Sequence, residues 1–284
     1  MDIFKSWRNK IVKGSRLKSL GLRFVKITNA MMFHNGFALK IGKNTDTHPL
    51  STTFCSPGGI YFCPIDVFGL YFEFGDGFHY VDFADDEDIF IEDNKCKART
   101  IILSEKINYN FITNELFKIA IKSNKFAIKY IDPNIKDYYE FCKISVAHAG
   151  ISIQYMSPSI KNNYEICKAA ASQNGKSIYY MDINMKFNPE ICKIAAAQNG
   201  FSIKYMSPVF TNDPEICKIA AAQSGMTLYY MSPSIKNNYE ICKAAVLNNK
   251  KAFRYIGKSL KHDEFFLALQ PDAPGKKNSV DVKK

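Results

Sequence analysis

One period governs the second half of this chain. Tyr130, Tyr155, Tyr180, Tyr205, Tyr230 and Tyr255 recur at a constant step of 25 positions. Glu115, Glu140, Glu165, Glu190, Glu215 and Glu240 keep the same step, as do Lys118, Lys143, Lys168, Lys193, Lys218 and Lys243. Cys142, Cys167, Cys192, Cys217 and Cys242 share another column, in which the first unit carries Phe117. The segment MSPSIKNNYEICKAA occurs unchanged at 156–170 and 231–245. A unit of this length cannot enclose its own apolar face, so neighbours must stack and share a core.

Each unit carries helix punctuation. Asn188-Pro189-Glu190 and Asp213-Pro214-Glu215 place a capping side chain, a proline at the first helical position and an acid in the first turn. An Ala/Ile-rich run follows, as in ICKIAAAQ, and stops at Asn174-Gly175, Asn199-Gly200 or Ser224-Gly225. There a glycine in the left-handed conformation is expected to end the helix. The second half of the unit, as in Phe201-Ser202-Ile203-Lys204-Tyr205-Met206, reads in two ways. Ile203, Met206 and Phe210 fall on a helical stripe, whereas Phe201, Ile203 and Tyr205 alternate as in a strand. Pro208 opposes one unbroken helix, and Ser207 can cap a new turn that begins at Pro208. The favoured reading is a second short helix, broken at the proline. The alternative is an α/β horseshoe with one strand per unit.

These units resemble a helical repeat family of unknown function found in giant viruses and some protists. Its units read roughly N-G-x-A-L-x-Y-A-S, met here by Asn199-Gly200-Phe201-Ser202-Ile203-Lys204-Tyr205-Met206-Ser207 and its equivalents. The alanine before the serine is Met or Ile here, and a later aspartate of the family is mostly Asn. The resemblance covers about residues 115–269 and implies an α-helical array without a known activity.

Charge divides the chain further. Residues 1–30 hold eight Lys/Arg and one acid, residues 31–114 six and twelve, and the repeats are basic again, within a net charge of +11. Residues 73–93 carry nine acids and no base. The expected organisation is therefore a basic amphipathic arm at 1–30, an acidic β-rich module at 31–114, a helical repeat solenoid at 115–269 and a disordered basic tail at 270–284. The arm could meet anionic lipid or nucleic acid, or dock on the acidic face at 73–93. In the module, the runs at 58–62, 67–72, 78–83, 89–91 and 100–103 are short and β-prone, separated by Gly, Pro and Asp. The fold class expected is α+β: a small β-rich module followed by a helix-turn-helix solenoid of six repeats. No stretch approaches ~18 uninterrupted apolar residues, and no apolar core of a signal peptide follows the basic start. A cytosol-like compartment with reduced thiols is the expectation.

The pattern Phe33-His34-Asn35-Gly36-Phe37, then Gly42 to Pro49, then Cys55-Ser56-Pro57-Gly58-Gly59-Ile60-Tyr61-Phe62 resembles the N-terminal module of many mimivirus-type proteins, where it precedes ankyrin or other repeats. That resemblance implies a viral origin, an adaptor-like architecture and placement in the host cytoplasm or virion. His34, Gly58, Gly59 and Tyr61 are the motif residues carried forward. His34 with Gly59-Ile60-Tyr61-Phe62 is also similar to elements that line the nicotinamide cleft of poly-ADP-ribosyltransferases, with Glu92 in the place of their late glutamate. Asn35 breaks the His-Gly dipeptide of that pattern.

The ladders admit bland and functional readings. Lys218 stands at the third position after Glu215, and every unit keeps this pair, which can be a solvated intrahelical ion pair. Alternatively, Lys118, Lys143, Lys168, Lys193, Lys218 and Lys243 line up against an acidic partner or phosphates. The tyrosines are expected in the core with tethered hydroxyls. A single cysteine per unit packs as a small hydrophobe and does not converge on a metal. Cys55, Cys63, His79 and Cys96 are too irregularly spaced to argue for zinc. No catalytic residue, metal or cofactor is therefore expected. The function expected is a non-catalytic protein–protein interaction scaffold with a host or viral partner. Nonspecific nucleic-acid binding through the basic repeats is the alternative, and a degenerate ADP-ribosyltransferase-like module the second alternative.

Overall fold

The computed structural model describes residues 2–34 and 37–271. It is α+β, and it divides into two compact units, Met1–His148 and Ala149–Lys284. The tail expected at 270–284 falls outside the described residues from position 272 onward.

The first unit is built on antiparallel strands: β1 (Lys10–Lys13), β2 (Phe24–Thr28), β3 (Phe33–His34), β4 (Phe37–Ala38), β5 (Gly42–Thr45), β6 (Ile60–Pro64), β7 (Gly77–Asp82), β8 (Asp88–Ile91), β9 (Cys96–Ala98), β10 (Thr100–Leu103) and β11 (Ile107–Asn108). Among the described residues nine of them form one sheet in the order β1-β8-β9-β6-β2-β7-β10-β5, with β11 beside β7, while β3 and β4 make a separate hairpin. Only Arg99 separates β9 from β10, yet they stand four places apart in that order. The sheet therefore curls round on itself, with the chain turning at Arg99 from one part to the other. Its inside is an apolar cluster that includes Phe24, Phe62, Phe83, Ile89, Ile91, Ala98 and Ile101. Phe24, Phe62 and Phe83 meet ring to ring at 5.5–5.8 Å.

Residues 1–30, expected as a basic arm, contribute two of these strands. β1 pairs with β8 through the register Lys10↔Ile91 to Lys13↔Asp88, and β2 is central, between β6 and β7. The basic side chains meet the acidic stretch: Arg8 with Asp93 at 2.7 Å, Lys13 with Asp88 at 2.7 Å, and Lys18 with Asp82 and Asp85 at 3.2 and 3.0 Å. Trp7, Val12 and Leu22 pack against the core cluster from the same segment. The docking reading of the arm is the one the geometry takes, and the arm is not a free amphipathic helix.

Four of the five β-prone runs overlap strands. The exception is 67–72, which lies inside a 3-10 helix, Ile65–Phe74. Phe68 and Phe72 are both fully buried and meet at 5.1 Å, so the run buries a helical stripe rather than alternate residues. This helix packs against Asn114–Ser123, the first helix of the repeats. A Cβ on Gly69 would collide with the Ala120 carbonyl oxygen, so the two backbones approach closely there. That contact explains why the first repeat helix belongs to the sheet's compact unit and not to the one that begins at Ala149.

Each repeat opens with a helix of about three turns, such as Tyr164–Gln173, Pro189–Gln198, Pro214–Gln223 and Tyr239–Asn248. The expected caps are in place. Asn163, Asn188, Asp213 and Asn238 accept from the backbone N–H of Ile166, Ile191, Ile216 and Ile241 at 2.8–3.2 Å. The glycines that follow do not adopt the left-handed conformation expected of them, since the described glycines with positive φ are Gly21, Gly42, Gly58 and Gly59. Their necessity lies elsewhere. A Cβ on Gly150, Gly175, Gly200 or Gly225 would strike the carbonyl oxygen of Ala170, Ala195, Ala220 or Ala245 in the next unit. The same glycine N–H groups donate to Gln173, Gln198, Gln223 and Asn248 at 2.6–2.8 Å, which bonds each unit to its successor.

The second half of the unit is helical and not a strand. A 3-10 segment, such as Gly175–Tyr180 or Gly200–Tyr205, is followed by a short helix, such as Ile183–Lys186 or Pro208–Asn212. Pro208 opens the second helix in its unit as expected, but the break falls at the same place where Asp182 caps Ile183–Lys186 without a proline. With about three residues per 3-10 turn, Gly175, Ile178 and Met181 share one face, and all three are buried.

Candidate functional site

The same threefold spacing decides where the tyrosines go. With Ile178 and Met181 turned inward, Tyr179 and Tyr180 face outward, and Tyr179 is 53% exposed. The tyrosine column is therefore not core, contrary to expectation: Tyr155 is exposed, and Tyr180, Tyr205, Tyr230 and Tyr255 are half-buried. The buried columns on either side are Ile153, Ile178, Ile203 and Leu228, and Met156, Met181, Met206 and Met231.

The outward rings form two equivalent clusters. Tyr179 meets Tyr180 at 4.9 Å and Tyr205 at 5.0 Å, with interplanar angles of 84° and 64°. Two repeats on, Tyr229 meets Tyr230 at 5.0 Å and Tyr255 at 5.3 Å, with angles of 85° and 64°. Each cluster has its own lysine from the short helix that follows: Lys186 over Tyr179 at 5.7 Å and Lys236 over Tyr229 at 6.0 Å. Lys204 lies over Tyr205 at 4.6 Å, and Arg254 over Tyr255 at 5.1 Å. Phe201, beside Tyr230 at 6.3 Å, stands between the two clusters. The signal for this arrangement lay in the column before the tyrosines, where Tyr179 and Tyr229 are tyrosine and Lys204 and Arg254 are basic.

The lysine ladder takes the intrahelical geometry at several steps. Lys118 pairs with Glu115 at 2.8 Å, Lys143 with Glu140 at 3.2 Å, and Lys193 with Glu190 and with Glu215 at 3.6 and 2.9 Å. Lys168 lies over Tyr164 at 5.7 Å and Lys243 over Tyr239 at 5.8 Å. Lys218 is exposed. The ladder sits on the long first helix of each unit, whereas the tyrosine clusters sit on the 3-10 segments.

The cysteine column is buried, but its role is more than filling space. Cys167, Cys192, Cys217 and Cys242 donate to the carbonyls of Lys161, Lys186, Thr211 and Lys236 at 3.1–3.5 Å. The same carbonyls accept the N–H of Asp182, Ser207, Ser232 and Gly257 from the following unit. Burial pushes the Cys167, Cys192 and Cys217 thiols up to about 12, so they stay protonated donors.

In the first unit the motif glycines are latches. Gly58 and Gly59 have φ of +97° and +107°, which an L side chain rarely adopts. Asp46 accepts from the Gly59 N–H at 2.9 Å and from the His48 N–H at 2.8 Å. Burial works to raise the Asp46 carboxyl, but these donors and the His48 ring outweigh it and hold the carboxyl below its ordinary range. Tyr61 donates to Glu92, which is fully buried, at 2.9 Å, and Lys95 pairs with the other Glu92 oxygen at 3.3 Å. His34 pairs with Phe37 in the β3–β4 hairpin, and its side chain lies outside the described residues. His79 is buried, with Nδ1 on the Ser104 carbonyl at 2.7 Å and Nε2 on the Thr28 hydroxyl at 3.0 Å. Burial lowers its pKa, which fits a neutral ring that donates from Nδ1 and accepts at Nε2. Cys63 and Cys96 are buried and Cys55 is exposed; among the described residues no three His, Cys, Asp or Glu side chains converge as a metal-binding group. No helix among the described residues is long and apolar enough to cross a membrane.

An antiparallel sheet joined to a helical array of near-identical units defines an α+β repeat protein. The sequence pattern of one family, described as Domain of unknown function (DUF4116), matches residues 113–161, 138–186, 188–233 and 213–261, together more than half of the chain. The chain belongs to this family. The starts of these matches, at 113, 138, 188 and 213, keep step with the repeat. No curated protein and no solved structure matches the chain.

Proposed function

We propose that this protein is a non-catalytic interaction scaffold whose repeats, read as a solenoid, grip an extended acidic segment of a partner protein. The observation that carries the reading is the pair of equivalent tyrosine–lysine clusters around Tyr179 and Tyr229, two repeats apart. Exposed tyrosines supply large, stiff contact area and recur among the few residues that dominate binding energy. Lys186, Lys204, Lys236 and Arg254 add a positive rim. Two such clusters on one chain favour a partner that engages both, with the gain in avidity that linkage brings.

Ring orientation supports a protein partner over single-stranded nucleic acid. Base stacking needs free flat ring faces. Here the tyrosines meet edge to face, and lysines or Arg254 lie over four of the rings. From the resemblance of the GGIYF module, the partner is a host or viral protein in the host cytoplasm or virion. The test is a display selection of acidic peptides on the full chain, followed by calorimetry. A selected peptide should bind saturably, and the Tyr179→Ala/Tyr229→Ala variant should bind it at least about tenfold more weakly. Equal binding by the variant would overturn the reading. So would tight binding of an oligouridylate probe that falls steeply with salt, which would move the assignment to nucleic acid.

A further inference from the structure

The first unit buries a lysine in a setting that gives its charge no partner. Lys26 sits in the middle of β2, a strand buried on both faces, and is 4% exposed. It lines a largely apolar pocket of about 250 Å³, whose walls include Val25, Tyr61, Phe62, Tyr71, Phe74 and Lys95. Among the described residues no carboxylate or other acceptor is bonded to the Lys26 ammonium.

Each neighbouring acceptor is already engaged or stays neutral. His79, opposite Lys26 in the β2–β7 register, has both ring nitrogens occupied. The Tyr61 hydroxyl donates to Glu92, and the Tyr71 hydroxyl to the Asn94 carbonyl at 3.2 Å. Glu92 is held by Tyr61 and Lys95. Burial pushes the Cys63 thiol up to about 12, so it offers no thiolate. Lys97 is also fully buried, bonded to the Thr53 carbonyl at 2.9 Å. The buried Glu92 carboxylate is thus shared by Tyr61 and Lys95, with Lys97 near it, and Asp46, also buried, accepts from the His48 and Gly59 N–H groups. Burial, with the nearby Lys95 charge acting in the same direction, drives the Lys26 pKa down to about 8. An unpaired buried ammonium destabilises a fold relative to an apolar side chain. Packing alone gives no reason for lysine at this position, because the surrounding walls would suit Met or Leu.

From this geometry we infer that the pocket is a binding site for a small carboxylate with an apolar body. The carboxylate pairs with Lys26 beside Lys95, and the hydrocarbon part lies against Phe62, Tyr71 and Phe74. The missing counter-charge and the apolar walls together select that class: inorganic anions lack the body, and neutral apolar molecules leave the ammonium unpaired. This inference concerns the sheet unit and stands apart from the tyrosine clusters of the repeats.

The test uses the full chain, with sodium hexanoate, sodium benzoate, 1-hexanol and inorganic phosphate as probes in calorimetry. Hexanoate or benzoate should saturate one site per chain, at least tenfold tighter than 1-hexanol or phosphate. Lys26→Met should lose at least tenfold in carboxylate affinity while melting at a higher temperature than the unsubstituted chain, and Lys95→Gln should weaken binding a few-fold. The inference is overturned if neither carboxylate binds, if 1-hexanol or phosphate binds as tightly, or if Lys26→Met binds unchanged. Should Lys26→Met fail to fold, the ranking of carboxylate against alcohol on the unsubstituted chain decides alone.

Discussion

A lysine and a row of serines carry the energetics that single residues can test. Lys26 has a folded-state pKa of about 8 against an ordinary value of 10.5. Below pH 8 both folded and unfolded chains hold the proton, and the burial penalty is present in full. Between pH 8 and 10.5 the folded chain sheds the proton while the unfolded chain keeps it, so this group's contribution to stability rises with pH. The shift corresponds to on the order of 3 kcal/mol. The buried thiols act in the opposite sense above their ordinary value of 9, because the folded state keeps them protonated. The Lys26 effect is therefore read as a difference. In urea titrations Lys26→Met should be the more stable chain at pH 7, with an advantage that shrinks as pH climbs through 8 towards 10; a constant difference would contradict the assigned burial. The serines make a simpler case. Ser152, Ser177 and Ser202 are fully buried, and their hydroxyls find no partner. The first and last units carry Ala127 and Ala252 in this column. Ser177→Ala and Ser202→Ala should leave urea midpoints unchanged or raise them, since an unsatisfied buried hydroxyl costs about 1–3 kcal/mol.

At the scale of the element, the repeat is joined by three contacts: glycine against the next unit's alanine carbonyl, the Gln or Asn side chain on the glycine N–H, and the thiol with the next unit's N–H on one carbonyl. Gly200→Ala puts a methyl group 2.5 Å from the Ala220 carbonyl oxygen. The variant should lose about 1–3 kcal/mol in urea unfolding, the usual range for overpacking; a neutral result would show that the units can slide apart. The thiols give a second expectation. Cys55 is exposed, whereas Cys63, Cys96 and the repeat cysteines are buried. Native protein at pH 8 should take up one maleimide on mass analysis, at Cys55, with further labelling only after unfolding. Much of this element was legible beforehand. Asn188, Pro189 and Glu190 announced a helix start, and that start depends on neighbours within one turn. The role of the glycines was not legible, because it depends on the backbone of the following unit, as Gly200 does on Ala220.

Across the first unit as a whole, opposite charges and apolar docking join segments distant in sequence. Arg8, Lys13 and Lys18 meet acids from Asp82 to Asp93. These pairs are 39–75% exposed, so each is worth well under about 1 kcal/mol. Trp7 and Val12 on the core cluster supply the larger share of the docking. The fluorescence of Trp7, the chain's single tryptophan, reports on it directly. Raising salt from about 0.05 to about 0.5 M, which shortens the screening length below about 5 Å, should leave its emission maximum in place; a red shift would show that charge alone holds the segment.

The sequence by itself determined the repeat, its period, its helix starts and its apolar columns, because all of these follow from contacts within a turn or from strict recurrence. It also placed four of the strands, β6, β7, β8 and β10, in runs separated by Gly, Pro and Asp. Tertiary structure decided what depends on partners far along the chain. β1 is a strand because β8 offers its edge, although Lys10 to Lys13 reads as part of a basic segment. The 67–72 run is 3-10 helix because Asn114–Ser123 packs on it, although its residues suit a strand equally well. The tyrosines face outward because a period of three, rather than 3.6 or two, governs the segment that carries them. Lys26 offered one local sign, a lone lysine inside the apolar run Phe24–Thr28. Only the curled sheet brings Tyr61, Tyr71 and Lys95 round it and leaves its charge without a counter-ion.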